Sequence, residues 1–178
     1  MFEKLPKEAL KPTLAAAIQG LRRCGSRSDT DLFITGCGAV GLLVAIAAKK
    51  YGARKLVLGC RGERDAKFIE ELGLEAFTYD RDTPEELLRG THSRGFDFAF
   101  ETSGAALGYE TLLKTVRRGA VVGVLCRMEE PYTFFVKTAV RSQIRFIGVH
   151  GFDALSEAEA DRLLRDGDVR AAVGKFAE

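Results

Sequence analysis

Short apolar runs and stretches with helical spacing alternate along this chain of 178 residues. Leu14, Ala17, Ile18 and Leu21 fall on one face and predict a helix over Leu14–Arg23. Pro12 sets its expected start, and Gly25, Ser26 and Ser28 mark the loop after it. Apolar runs then predict strands at Leu32–Thr35, Lys55–Leu58, Ala76–Thr78, Phe96–Glu101, Val121–Leu125 and Ile144–Val149. Between and after them, helices are predicted at Ala39–Tyr51, Glu63–Leu72, Pro84–Leu88, Ala106–Val116 (ending near Gly119), Phe134–Val140 and Glu157–Leu164. Most of the strands are continuously apolar rather than alternating, the mark of a parallel sheet covered by helices on both faces. Six strand–helix alternations predict an α/β, doubly wound parallel six-stranded sheet with strand order 3-2-1-4-5-6. Residues 1–28 read as a leading helix and linker, and 29–178 as the doubly wound domain.

The first strand runs into Gly36-Cys37-Gly38-Ala39-Val40-Gly41, a GxGxxG turn that opens a helix. In such a turn the first glycine makes the bend and the second lets a pyrophosphate approach the backbone. The third lets helix and strand pack closely. Phosphates would then rest on the free amides of the helix start. Dinucleotide-binding domains that use NAD place a carboxylate at the end of the second strand, where it binds ribose hydroxyls and repels a 2′-phosphate. Here the strand ends Gly59, Cys60, Arg61, with Arg64 following. Two guanidiniums without that carboxylate favour NADP(H) over NAD(H); the bland alternative is that both arginines are solvated residues of a helix start. A glycine turn of this kind also occurs in S-adenosylmethionine-dependent methyltransferases. That reading wants an acid two positions before the first glycine, where Ile34 stands, and another at the end of the second strand.

Composition narrows the field. A net charge of +2, with no basic block carrying interleaved aromatics, argues against nucleic acid as a partner. The four cysteines, Cys24, Cys37, Cys60 and Cys126, include no CxxC pair, so neither a zinc knuckle nor a redox dithiol is suggested. No apolar stretch approaches the ~20 residues of a membrane span. The charged, proline-containing N-terminus does not read as a signal peptide. A cytoplasmic, non-membrane protein is expected.

With these residues placed, the chain resembles the cofactor-binding Rossmann domain of the medium-chain dehydrogenase/reductase superfamily, the zinc-type alcohol and polyol dehydrogenases. The matching pieces run in order: "LKPTLAAAIQGLRRCG", "ITGCGAVGLLVAIAAKKYGA", "RDAKFIEELG", "GFDFAFETSG", "LLKTVRRGAVVGVL" and "FFVKTAVRSQIRFIGVHGF". Each is loose alone; their order and spacing make the match specific. The resemblance implies that Gly36, Gly38, Ala39, Val40 and Gly41 line the pyrophosphate, and that Cys60, Arg61 and Arg64 surround the adenosine ribose. It puts Thr102 and Ser103 beside the cofactor past the fourth strand. Val122, Gly123 and Val124, with Gly148, Val149 and His150, are implied near the nicotinamide. His150 is expected to act through backbone rather than as a catalyst, and His92 to be a surface loop residue.

In that superfamily substrate and catalytic zinc are held largely by a separate GroES-like domain, whose zinc ligands do not appear in this sequence. Where polyol dehydrogenases carry a Glu-Pro pair that contributes to the zinc site, this chain has Lys11-Pro12, and a protonated ammonium cannot ligate zinc. The residues thus imply dinucleotide binding with no catalytic residue and no zinc in this chain. Three accounts remain open: a domain of a larger dehydrogenase, a subunit meeting its catalytic partner in trans, or a non-catalytic dinucleotide-binding module. The resemblance further implies a homodimer formed through the edge strand Gln143–Val149, with a monomer blunted by Arg145 as the alternative.

Overall fold

A computed structural model describes residues 4–79, 82–92, 94–126 and 136–177. Its strands are β1 (Asp31–Thr35), β2 (Lys55–Cys60), β3 (Glu75–Thr78), β4 (Phe96–Glu101), β5 (Val116–Val124) and β6 (Arg145–Gly148). Its helices are α1 (Lys7–Cys24), α2 (Ala39–Lys50), α3 (Glu63–Glu71), α4 (Pro84–Leu87), α5 (Ala106–Thr115), α6 (Val136–Ser142), α7 (Ala154–Arg165) and α8 (Gly167–Val173). The strands form one sheet in the order β3-β2-β1-β4-β5-β6, every neighbouring pair parallel, as the apolar runs predict.

Burial on both faces explains why the strands read as unbroken apolar runs. Leu32, Ile34, Leu58, Phe98, Phe100 and Val121 point into one core, which α1, α2, α3, α7 and α8 complete. Phe33, Val57, Phe77, Ala99 and Val122 point the other way, against Leu87 of α4 and Tyr109 and Leu112 of α5. Phe33 meets Phe77 edge-to-face at 6.0 Å, a preferred aromatic geometry. Among the described residues no helix is long and apolar enough to cross a membrane.

Several boundaries differ from the sequence expectation. Helix α1 begins at Lys7 with Pro12 inside it; Pro12 is exposed, so the carbonyl it leaves without an amide partner can be solvated. The helix ends where Gly25 turns left-handed at φ 73, its amide reaching Arg22 O at 3.1 Å. Leu14, Ile18 and Leu21 of α1 are buried in the first core. Ion pairs from Lys11 to Glu157 (3.2 Å) and Asp161 (2.9 Å), and from Arg22 to Asp153 (2.8 Å), bind α1 to α7. The leading helix is therefore part of the same packed body as the sheet.

Strand β5 starts at Val116, not Val121, because Gly119 (φ 75) makes a bulge rather than a helix end. Val116 faces Phe96 and Val121 faces Phe98 across it. Helix α7 starts at Ala154 because Asp153 accepts from Ser156 N at 2.8 Å. Helix α8, unexpected from the sequence, follows Asp166, whose carboxylate caps Asp168 and Val169. Phe134 and Phe135, expected to open α6, lie outside the described residues.

Candidate functional site

The strand order reverses between β1 and β4, and a cleft of about 270 Å³ opens at their C-terminal ends. Such a switch point is where open α/β sheets take ligands. Gly36, Cys37, Gly38, Gly59, Arg61 and Asp65 line one part of it; Tyr79, Thr102, Ser103, Ala105, Leu107 and Gly108 line the rest.

Three glycines of the turn have three different surroundings. Gly36 adopts φ +90, and a Cβ there would lie 3.0 Å from Ser103 backbone and Thr102 Oγ1. A Cβ on Gly41 would stand 2.1 Å from Gly36 O and 2.9 Å from Thr102 Oγ1, so helix α2 could not sit this close with any side chain at 41. Gly38 is the opposite case: no atom lies within 4 Å of its would-be Cβ. That open space is what a ligand group approaching the backbone requires. Gly38 caps α2 without a side-chain hydrogen bond, and the first turn carries no acidic residue. The first bond of the turn runs from Leu42 N to Gly38 O at 2.9 Å, so the amides of Ala39, Val40 and Gly41 precede the helix's own bonding and suit an anion.

The floor between β1 and β4 is held by a buried carboxylate. Glu101 accepts from Thr35 Oγ1 at 2.7 Å, from Ser103 N at 2.6 Å and Oγ at 2.7 Å, and from Gly104 N at 2.8 Å. Thr102 Oγ1 donates to Thr35 O at 2.6 Å and also lies 3.2 Å from Gly36 O. Both sequence-predicted residues, Thr102 and Ser103, thus line the cleft; the Thr102 hydroxyl stitches the β4 loop to the glycine turn, and the Ser103 hydroxyl ties that loop to Glu101.

On the β2–β3 side the structure adds two residues that sequence reasoning missed. A Cβ on Gly59 would lie 2.3 Å from Tyr79 Oη, so the tyrosine ring covers Gly59, the last residue but one of β2. Tyr79 Oη is buried with no hydrogen-bond partner, and burial pushes its pKa well above the ordinary phenol value. Asp65, in the first turn of α3, also lines the cleft. The signal for Tyr79 was available in principle, as an aromatic at the end of β3, but only the fold sets it over Gly59.

The remaining predicted residues scatter. Arg61 lines the cleft and is exposed; Arg64 is exposed but not part of the lining. Cys60 is fully buried in the first core rather than facing a ribose, because β2 extends two residues beyond the expected Leu58. Val122 is fully buried in the second core. A Cβ on Gly123 would meet Cys24 Sγ and the Phe100 ring at 2.8 Å, so this glycine allows α1 to approach β5. Val124 is half-buried at the end of β5, and Val149 continues the β5–β6 ladder through Val149 N to Val124 O at 2.9 Å. Gly148 and His150 are exposed at the end of β6. None of these six residues of β5 and β6 and their ends is in the lining of the cleft. His92 is an exposed loop residue whose backbone N donates to Asp31 at 2.9 Å.

Cys37 and Cys60 adjoin at the turn. Gly36 N donates to Gly59 O at 3.0 Å, carrying the β1–β2 pairing one step past Thr35 and Gly59. Hydrogen bonding between the thiols holds the Cys37 pKa below the usual value and, with burial, drives that of Cys60 up. The donors of the site suit a dinucleotide, with an open glycine, free helix amides and an orphaned phenol. Among the described residues no three His, Cys, Asp or Glu side chains gather to hold a metal.

Comparison with known proteins agrees with this geometry. A family model described as zinc-binding dehydrogenase matches residues 39–166. The (R,R)-butanediol dehydrogenase of Saccharomyces cerevisiae is 26% identical over 176 residues, covering 93% of this chain and 46% of that protein. The crystal structure of 2R,3R-butanediol dehydrogenase from Bacillus subtilis superposes with a TM-score of 0.79 at 20% identity, over 96% of this chain and 55% of that one. A Sinorhizobium meliloti structure bound to NADP gives 0.77 at 20% identity, over 92% and 48%. The chain spans about half the length of the curated relatives it matches.

Proposed function

Because the chain belongs to the zinc-binding dehydrogenase family, we propose that its cleft binds a nicotinamide dinucleotide, NADP(H) in preference to NAD(H), for an oxidoreductase of the alcohol or polyol dehydrogenase type. The observation that carries the preference is the orphaned Tyr79 Oη over Gly59, in the same cleft as Arg61. A 2′-phosphate would give the phenol its missing partner and the guanidinium a bidentate anion. Asp65 in the same lining opposes that phosphate, so the preference is a balance of two side chains. The amides of Ala39, Val40 and Gly41 receive the pyrophosphate, and Gly38 leaves room for it. Thr102 holds the turn in that shape, beside a loop that Glu101 fixes through Ser103 and Gly104. The bound dinucleotide supplies the hydride chemistry; these residues bind and orient it.

Substrate handling falls, in this reading, to a GroES-like domain or a partner subunit, and the protein works in the cytoplasm. Strand β6 ends the sheet with Arg145, Phe146 and Gly148 exposed. Its free edge would pair with a second copy to extend the sheet, and size-exclusion chromatography with light scattering decides whether it does. A species of 19.5 kDa alone would remove the dimer.

The cofactor assignment is tested by thermal-shift titration with NADPH, NADH and S-adenosylmethionine, on the wild type and on Tyr79→Phe. NADPH should stabilise most. Tyr79→Phe should weaken NADPH while sparing NADH, by about 1.5–3 kcal/mol if the phenol bonds a charged phosphate. Equal response to NADPH and NADH removes the preference, and no response to either removes the dinucleotide reading. A response to S-adenosylmethionine alone would favour a methyltransferase.

A further inference from the structure

We propose that Cys37 and Cys60 are an oxidation-sensitive pair, a modification site in the floor of the cleft that a hydroperoxide converts to a disulfide when no dinucleotide covers it. Adjacency is the first ground. The β1–β2 ladder places Thr35 opposite Gly59, and the bond from Gly36 N to Gly59 O puts Gly36 beside Cys60, so Cys37 directly follows the cross-strand neighbour of Cys60. Parallel neighbours lie about 4.8 Å apart; Cys37 is the next residue after that neighbour, and its thiol is within hydrogen-bonding reach of the Cys60 thiol. Both side chains belong to the same packed cluster, so neither has to cross the sheet to reach the other.

The two thiols differ in the way an attacking and a resolving cysteine must. Cys37 lines the cleft and is 8% exposed, whereas Cys60 is fully buried. Cys37 also stands two residues before the N-terminus of α2, where the helix dipole favours a thiolate. Of the four cysteines, Cys37 is the one whose pKa is held down, chiefly by the hydrogen bond with Cys60; burial and Asp65 oppose it. Burial raises Cys24 to about 11 and also raises Cys126. The chemistry closes in two steps. The Cys37 thiolate attacks the hydroperoxide O–O bond, giving a sulfenic acid and, after proton uptake, an alcohol or water. The Cys60 thiol then displaces water from the sulfenic sulfur to form the S–S bond. The protein loses two hydrogens and the hydroperoxide is reduced. Because the second step is internal, the burial of Cys60 does not impede it.

The dependence on ligand rests on the dinucleotide reading above, since a pyrophosphate at Gly38 would cover Cys37. The test treats the reduced wild-type chain with hydrogen peroxide, counts free thiols and maps linked peptides by mass spectrometry. The expected result is a fall from four thiols to two, a Cys37–Cys60 peptide, and full recovery with dithiothreitol. In Cys60→Ala, a dimedone adduct should appear on Cys37 instead of the link. Four surviving thiols, or a link between any other pair, overturn the proposal, as does a Cys60→Ala chain without the adduct. NADPH at ten times its dissociation constant should slow linkage about tenfold, in proportion to the free fraction. If the link forms at an unchanged rate with NADPH, the thiol pair stands and the cleft is not the dinucleotide site.

Discussion

Replacing Gly38 with alanine separates the ligand role of the glycine turn from its structural role. Gly38 sits at φ -69 and ψ -177, extended backbone open to any residue, and nothing lies within 4 Å of an added Cβ. Alanine is a poorer N-cap than glycine, at a cost of roughly 0.5–1 kcal/mol. Lower entropy of the unfolded chain returns about 0.4–1 kcal/mol. The two terms offset, so Gly38→Ala should unfold within about 0.5 kcal/mol of the wild type. Binding responds differently, because the methyl group occupies the space through which a pyrophosphate reaches the amides of α2. Losing one or two hydrogen bonds to a charged group costs about 1.5–3 kcal/mol, a roughly 10- to 100-fold weaker dissociation constant. With NADPH at a hundred times the wild-type constant, stabilisation of about 2.7 kcal/mol drops to about 0.4–1.4 kcal/mol. For a chain of this size the ligand-induced shift in Tm falls from about 5–11 °C to about 1–6 °C. Urea unfolding without ligand and thermal shift with it measure both quantities. A full NADPH shift in Gly38→Ala would refute the placement of the pyrophosphate; a large loss of stability without ligand would make Gly38 a structural residue.

Gly41→Ala should show the reverse order of effects. Its Cβ would lie 2.1 Å from Gly36 O, so the turn and helix must move apart. Overpacking of about 1–3 kcal/mol outweighs the ~1 kcal/mol helix preference of alanine; an unchanged urea midpoint would contradict this. Glu101→Gln puts an amide nitrogen among donors that all point at the carboxylate. It should cost on the order of 1–3 kcal/mol by the same assay, and equal stability would mean the loop after β4 is held by other contacts. Asp166, which bonds Lys50 and the amide of Val169, has its pKa lowered on folding. A depressed folded value adds stability above the unfolded pKa of about 3.9, and that stability is lost as pH falls through the folded value. Asp166→Asn, which keeps a capping side chain, should therefore lose less stability between about pH 5 and pH 2.5 than the wild type. Parallel losses in both would show that this carboxylate does not contribute.

The glycine turn and its helix were legible because their logic is local: the bend, the close approach and the helix start all lie within Gly36–Gly41. Burial of the central strands on both faces was equally legible, since Leu32, Phe33 and Ile34 of β1 are consecutive apolar residues that point to alternate faces. Boundaries failed where a cap or bulge decided them. Asp153 and Asp166 start helices by bonding amides two or three residues on, and Gly119 serves a β-bulge rather than a helix end.

By itself, then, the sequence determined the sheet order, the turn that opens α2 and the absence of a strand-end carboxylate on β2, all properties of neighbouring residues or of periodicity. Only the tertiary structure decided what covers the end of β2 at Gly59. Tyr79 is 20 positions beyond Gly59 along the chain and reaches it because β3 pairs beside β2, with Gly59 opposite Phe77. The pairing of β1 with β2 brings Cys60 next to the glycine turn and turns it into the core. No spacing in the sequence encodes these contacts, because they depend on the register between strands and on the face each side chain then takes.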